Sequence, residues 1–126
     1  MSDLPTLYDQ IGGEQGIVKL VRAYIHALKT SPEAEHLRSM YPEDLSLYEC
    51  RMLEFLSGWL GGPALYLKRH GMPMLRENHR RIPIDERARD EWMGCMRRAL
   101  NETVTDKTLR VSLEGAFWRM ADSLRH

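Results

Sequence analysis

At 126 residues, with 43% hydrophobic and 29% charged side chains, the chain reads as one globular domain, 1–126, large enough to bury a core and a ligand. Lys plus Arg and Asp plus Glu number 18 each, so the formal net charge is zero, which argues against bulk attraction to nucleic acid or anionic membrane. No apolar run approaches the roughly 20 residues that span a bilayer, and MSDLPTLYDQIGG lacks the basic start and apolar core of a signal peptide, so a cytoplasmic protein is expected.

Taken in order, the chain reads as helices separated by Gly, Pro and capping residues. Residues 4–11 form a short helix ended by Gly12-Gly13. A second helix, about 14–29, carries Ile17, Leu20, Val21, Tyr24, Ile25 and Leu28 at i, i+3, i+4, i+7 spacing. Ser31 caps the next, with Pro32 at its first position, and Tyr41-Pro42 ends it. Asp44 or Ser46 caps a helix over about 45–60, with Leu45, Tyr48, Met52, Phe55, Leu56 and Trp59 on one face. Gly61-Gly62-Pro63 stops that helix. Asp85 caps a helix over about 86–103, with Ala88, Trp92, Cys95, Met96 and Ala99 inward. Thr105 or Asp106 caps the last, about 106–124, with Leu109, Leu113, Ala116, Phe117, Met120 and Leu124 inward. The fold class is all-α. The two cysteines, Cys50 and Cys95, form no CxxC and are expected as free, buried thiols.

The stretch between the second and third long helices, 61–84, has at most isolated helical turns at 64–69 and 74–78. So long a connection in a small domain is usually functional. It holds His79, flanked by Arg76, Arg80 and Arg81, with Leu75 and Ile82 placed to tuck the segment against a core. A neutral imidazole nitrogen is a good axial ligand for haem iron, and its other ring N–H then needs an acceptor such as a backbone carbonyl. With no second His at i+3 or i+4, an HExxH-type zinc site is not supported. A solvated histidine among charges is the plainer alternative.

The run GWLGGPALYLKRHGMPMLRENHRRIPIDERARDEWMGCMRRAL resembles the group II truncated haemoglobins. The match is carried by Trp59, Leu60, Gly61, Gly62, Pro63, Leu65, Tyr66, Gly71, Pro73, Leu75, Arg76, His79, Arg89, Asp90, Trp92, Cys95 and Met96. Weaker similarity runs from Leu7-Tyr8-Asp9-Gln10-Ile11-Gly12-Gly13 to the final helix. The resemblance implies a truncated globin, a two-over-two helical sandwich around one haem b (iron protoporphyrin IX), with the four long helices as globin B, E, G and H. It implies His79 as the proximal iron ligand and Trp92 as the distal tryptophan. Tyr41 is similar to the residue that packs on the haem at the CD corner, and Tyr48 falls at the distal gate, with Met52 and Phe55 following. For Met52 and Phe55, plain core packing explains the stripe equally well.

The chain departs from the family in three places. The family has Phe-Tyr late in the B helix. Counted back from Ser31-Pro32, this chain has Tyr24-Ile25, so Ile25 stands at the tyrosine's position. That puts more weight on Trp92, Tyr41 and Tyr48. Asn78 and Ile82 replace the Arg and Phe common around the proximal histidine, leaving Arg76, Arg80, Tyr66 or Lys68 for the propionates. The implied function is binding or transport of oxygen, with carbon monoxide and nitric oxide as further diatomic ligands. An alternative is a nitric oxide dioxygenase or peroxidase-like enzyme using a separate reductase, since no nucleotide-binding GxGxxG is present. A cofactor-free helical interaction or sensor domain is a third reading. A monomer or a homodimer is expected.

Overall fold

A computed structural model describes residues 4–80 and 82–125, with the side chain of Arg76 also outside the description. All regular elements among the described residues are helical. The first, α1 (Leu7–Ile11), starts later than the sequence pattern predicts. Thr6 closes a reciprocal cap there: its hydroxyl accepts from the Asp9 N–H at 3.0 Å and the Asp9 carboxylate accepts from the Thr6 N–H at 3.2 Å. Gly12 then turns the chain at φ 104°, a conformation that favours glycine, into α2 (Gly13–Thr30). The whole predicted stripe of α2, Ile17 to Leu28, is buried.

The connection after α2 differs from its prediction. Ser31 makes no capping bond to the backbone, and its hydroxyl donates instead to the Glu33 carboxylate at 2.7 Å. A 3-10 turn, Pro32–Ala34, leads into the four-residue α3 (Glu35–Arg38). The helix stops three residues before Tyr41, and its N-terminal N–H groups are capped from elsewhere. One carboxylate oxygen of Glu91 accepts from the His36 and Leu37 N–H groups at 3.0 and 3.2 Å. Arg38 reaches back to donate to the Leu28 and Ser31 carbonyls.

Helix α4 (Ser46–Trp59) has Leu45 at its N-cap and no side-chain capping bond, so neither predicted cap is used; Asp44 accepts from the Ser46 N–H at 2.9 Å in the turn before it. Two short helices, α5 (Leu65–His70) and α6 (Leu75–His79), occupy the long connection. Asp85 accepts from the Ala88 N–H at the start of α7 (Glu86–Thr103). Asp106, rather than Thr105, caps α8 (Lys107–Ser123).

Helix α2 packs on α4 and α7, and α7 on α8. Leu20, Val21, Leu28, Met96, Leu100, Leu113 and Phe117 make the centre of the core. Trp59 of α4 meets Phe117 of α8 at 5.2 Å between ring centroids, which closes the second side. By contrast, among the described residues α5 packs chiefly on α4, and no helix lies broadly along α6. Cys95 is buried, and that burial pushes its thiol up to about 11. Cys50, predicted buried, is exposed: it lies off the inward face that Tyr48, Met52 and Phe55 define. No helix among the described residues is long and apolar enough to cross a membrane.

Gly16, inside α2, looks replaceable, because alanine is favoured in helices by about 1 kcal/mol. A Cβ there would lie 1.9 Å from the Ile11 carbonyl oxygen, backbone that cannot yield without moving α1. Gly16→Ala is expected to lower stability by about 2 kcal/mol, the scale of overpacking. A thermal melt checks this, and a raised melting temperature would contradict the α1–α2 contact.

Candidate functional site

The functional side chains converge on a cavity of about 440 Å³. Leu37, Met40, Tyr41 and Pro42 bound it from α3 and the turn that follows. Helix α4 contributes Tyr48, Arg51, Met52, Phe55 and Leu56. Tyr66, Pro73, Leu75, Asn78, His79, Ile82 and Ile84 come from the long connection, Ala88, Arg89 and Trp92 from α7, and Met120, Ala121 and Leu124 from the end of α8. Its lining is mostly hydrocarbon and aromatic, with few polar groups, as suits an apolar ligand with fixed polar contacts. A shallower hollow of about 590 Å³ between the Pro32–Ala34 turn and α7 is open, carries five carboxylates, and holds none of the predicted site residues.

His79 presents a defined tautomer. Its Nδ1 lies 2.6 Å from the carbonyl oxygen of Leu75, one turn back in α6. A carbonyl only accepts, so Nδ1 carries a proton, and in the neutral ring Nε2 keeps its lone pair. Trp92 packs between Tyr24 (5.7 Å between centroids) and Phe117 (5.9 Å). Its indole N–H has no acceptor among the described residues, yet is not sealed from solvent. The cavity it lines is where that donor can find a partner.

Three tyrosine hydroxyls meet beside Trp92. Tyr41 donates to Tyr48 at 3.2 Å, and the Tyr24 hydroxyl lies 3.0 Å from Tyr48. Burial, and then the neighbouring tyrosines, hold the Tyr24 and Tyr41 hydroxyls well above their ordinary range, so both stay protonated.

Of the residues predicted from sequence, His79, Trp92, Tyr41, Tyr48, Met52, Phe55, Tyr66 and Leu75 line the cavity. Tyr24, Ile25 and Met96 are buried in the core behind it. Of the pair expected around the family tyrosine's position, Tyr24 turns its hydroxyl to Tyr48, and neither Tyr24 nor Ile25 is among the residues lining the cavity. Among the predicted cations, Lys68 does not line the cavity, Arg80 pairs with Glu77 at 3.5 Å, and Arg76's side chain lies outside the described ones.

Two arginines were missed. Arg51 sits one turn after Tyr48 and meets the His70 ring, with no carboxylate partner among the described residues. The i, i+3 spacing from Tyr48 was the available signal. Arg89 is held by Asp122 at 2.8 Å and Asp90 at 3.0 Å, with its guanidinium 4.5 Å over the Trp118 ring.

A family model described as bacterial-like globin matches residues 6–126. Over 119 residues the chain is 33% identical to the group 2 truncated hemoglobin YjbI of Bacillus subtilis, covering 94% of this chain and 85% of that one. Among solved structures it is similar to the group II 2-on-2 hemoglobin of Agrobacterium tumefaciens, with a TM-score of 0.94 at 39% identity over 99% of this chain and 97% of the other. It is equally close in shape to the cold-adapted truncated hemoglobin of Pseudoalteromonas haloplanktis, with a TM-score of 0.94 at 37% identity over 97% and 98% of the two chains.

The wall made by α5 is held through one carboxylate. Glu54 of α4, only 5% exposed, accepts from Arg69 at 2.8 Å and pairs with His70 at 3.0 Å. The Arg69 hydrogen bond, then that of His70, holds its carboxyl below the ordinary value of 4.5. The stabilisation is therefore complete above pH 4.5 and lost as pH falls through the lowered value in the folded state. In melts across that range, the parent protein should lose stability on acidification more steeply than Glu54→Gln. Equal slopes would mean that Glu54 contributes no such term.

Proposed function

The chain belongs to the bacterial-like globin family, and on that premise we propose that the cavity holds haem b with His79 as the protein ligand to iron. The observation that carries the reading is the His79–Leu75 hydrogen bond. It leaves an unprotonated Nε2 on the wall of an apolar cavity, and donation from Nδ1 to a carbonyl raises the basicity of the ligating nitrogen. The lining fits a large, flat, apolar group, and Arg51 suits its carboxylates. Among the described residues lining the cavity, His79 is the one histidine, and no cysteine joins it.

A bound haem supplies an iron position that takes oxygen, carbon monoxide or nitric oxide. The protein's part is a dry lining and fixed donors. Oxygen acquires partial negative charge on binding, so the indole N–H of Trp92 stabilises it, and the surrounding low dielectric strengthens that bond. Met52, Phe55 and Leu56 keep water out. The function supported is that of a haem protein binding diatomic ligands.

Purified parent protein is expected to show a Soret band that His79→Gly loses and added imidazole restores. Normal iron–imidazole coordination in His79→Gly would overturn the ligand assignment. Trp92→Phe is expected to speed oxygen dissociation about tenfold, the loss of one charge-assisted hydrogen bond, and more than Tyr24→Phe does. Stopped-flow displacement reads both rates, and the reverse order would mean that Tyr24 reaches the ligand itself.

A further inference from the structure

From the end of α5 to the start of α6 the cavity wall is a single layer of residues. Tyr66, Pro73 and Leu75 line the cavity, while their chain neighbours Leu67, Met72 and Met74 are 47%, 73% and 56% exposed. Three of the seven large hydrophobic side chains exposed among the described residues thus fall within positions 67–74, which sets this stretch apart from singly scattered surface residues. Cations accompany them. Lys68 is exposed in the same run, and Glu54 holds Arg69 from within at 2.8 Å while leaving its side chain 59% exposed. Residues 64–80 hold four of the chain's eighteen Lys and Arg and one of its eighteen Asp and Glu, so this wall is +3 and the remainder of the chain −3.

We propose that residues 67–74 are the docking face for an acidic one-electron carrier protein, which reduces the iron of a haem held behind this wall. The proposal rests on the haem-pocket reading. Oxygen binds ferrous iron, so iron that has turned ferric needs an electron before it binds oxygen again. One electron passes from the reduced carrier to ferric iron: the carrier is oxidised and the iron reduced by one electron each, and no bond forms or breaks. Such transfer falls off steeply with distance, and a partner seated on Met72 and Met74 is one residue's thickness from the cavity. Three apolar side chains are too few for a stable interface of about 1,600 Å² and suit the small, transient contacts of electron transfer. Positive charge steers an acidic partner onto them, and flexible methionines adapt to its surface. A second copy of this chain would set +3 against +3 in a two-fold contact. A lipid surface would be met without exposed aromatic anchors, since Tyr66, the one Phe, Trp or Tyr in 64–80, lines the cavity.

The test uses the haem-loaded protein with flavodoxin, a small acidic flavoprotein, as probe. With methyl-labelled methionines in the ferrous carbon monoxide form, adding oxidised flavodoxin should shift the Met72 and Met74 signals and leave those of the buried Met93 and Met96 in place. In stopped flow at low ionic strength, Lys68→Glu should slow reduction of the ferric protein by reduced flavodoxin about tenfold, and the gap should close in high salt. Lys19→Glu, the same charge change on the exposed face of α2, should slow it by about twofold at most. Met72→Ser/Met74→Ser should slow it at both salt levels, because apolar contact is not screened. Dithionite, a small reductant that needs no docking face, should reduce every variant at close to the parent rate. Unmoved Met72 and Met74 signals, or equal losses in Lys68→Glu and Lys19→Glu, overturn the docking face and leave the pocket reading standing. So does binding to phosphatidylglycerol vesicles with no response to flavodoxin, which assigns the face to a lipid surface. A parent protein that takes up no haem overturns the pocket reading and the proposal with it.

Discussion

Keeping about 440 Å³ open is the constraint to which the rest of this chain answers. Treated as an empty hole in a core, a space of that size costs about 10 kcal/mol, as much as the whole stability of many domains. A chain of 126 residues cannot accept that in its centre. The fold places the space at a margin, between α4, the ends of α7 and α8, and short segments with little core of their own. The continuous packing lies on the other side, where α2 crosses α4 and α7.

Segments bordering a void are not held by burial, so other forces hold them. Helices as short as α3 and α5 are marginal alone. Each is tied to a long helix by a carboxylate: Glu91 of α7 takes two N–H groups of α3, and Glu54 of α4 takes Arg69 and His70 of α5. The Ser57 hydroxyl adds a bond to the Pro63 carbonyl at 2.7 Å, fixing the turn between α4 and α5. Both carboxylates spring from the long helices that also carry the aromatic lining, so the walls keep register with Trp92 and Phe55. Tyr8 serves the same end at the amino-terminal side. Its ring fills the place a Cβ would take on Gly62, and its N–H donates to the Leu60 carbonyl.

The four long helices and their inward faces were legible because a period of 3.6 residues survives any tertiary arrangement. Asp85 and Asp106 were legible for a similar reason, since a side-chain cap acts over three residues of its own chain. What the sequence hid was non-local. Glu91 caps α3 from more than fifty positions away, whereas Ser31-Pro32 starts only the 3-10 turn that precedes it. The burial of α2 was legible because it depends only on that helix's own phase. Tyr48 was placed at the cavity by its phase in α4, but its two hydroxyl partners lie on α2 and beside α3, which no local pattern links.

Helix α6 is five residues long, no other helix lies broadly along it, and it carries His79. The nitrogen offered to a metal therefore belongs to one of the least supported stretches of the fold. Any occupant bound through it contributes part of its binding free energy to ordering this segment, so apparent affinity is reduced by that cost. By linkage, the same occupant raises the stability of the stretch in proportion to the logarithm of its concentration over its dissociation constant. The resistance of this wall to opening is thus a property of the protein and its cofactor together, while the packing of α2 against α7 belongs to the polypeptide alone.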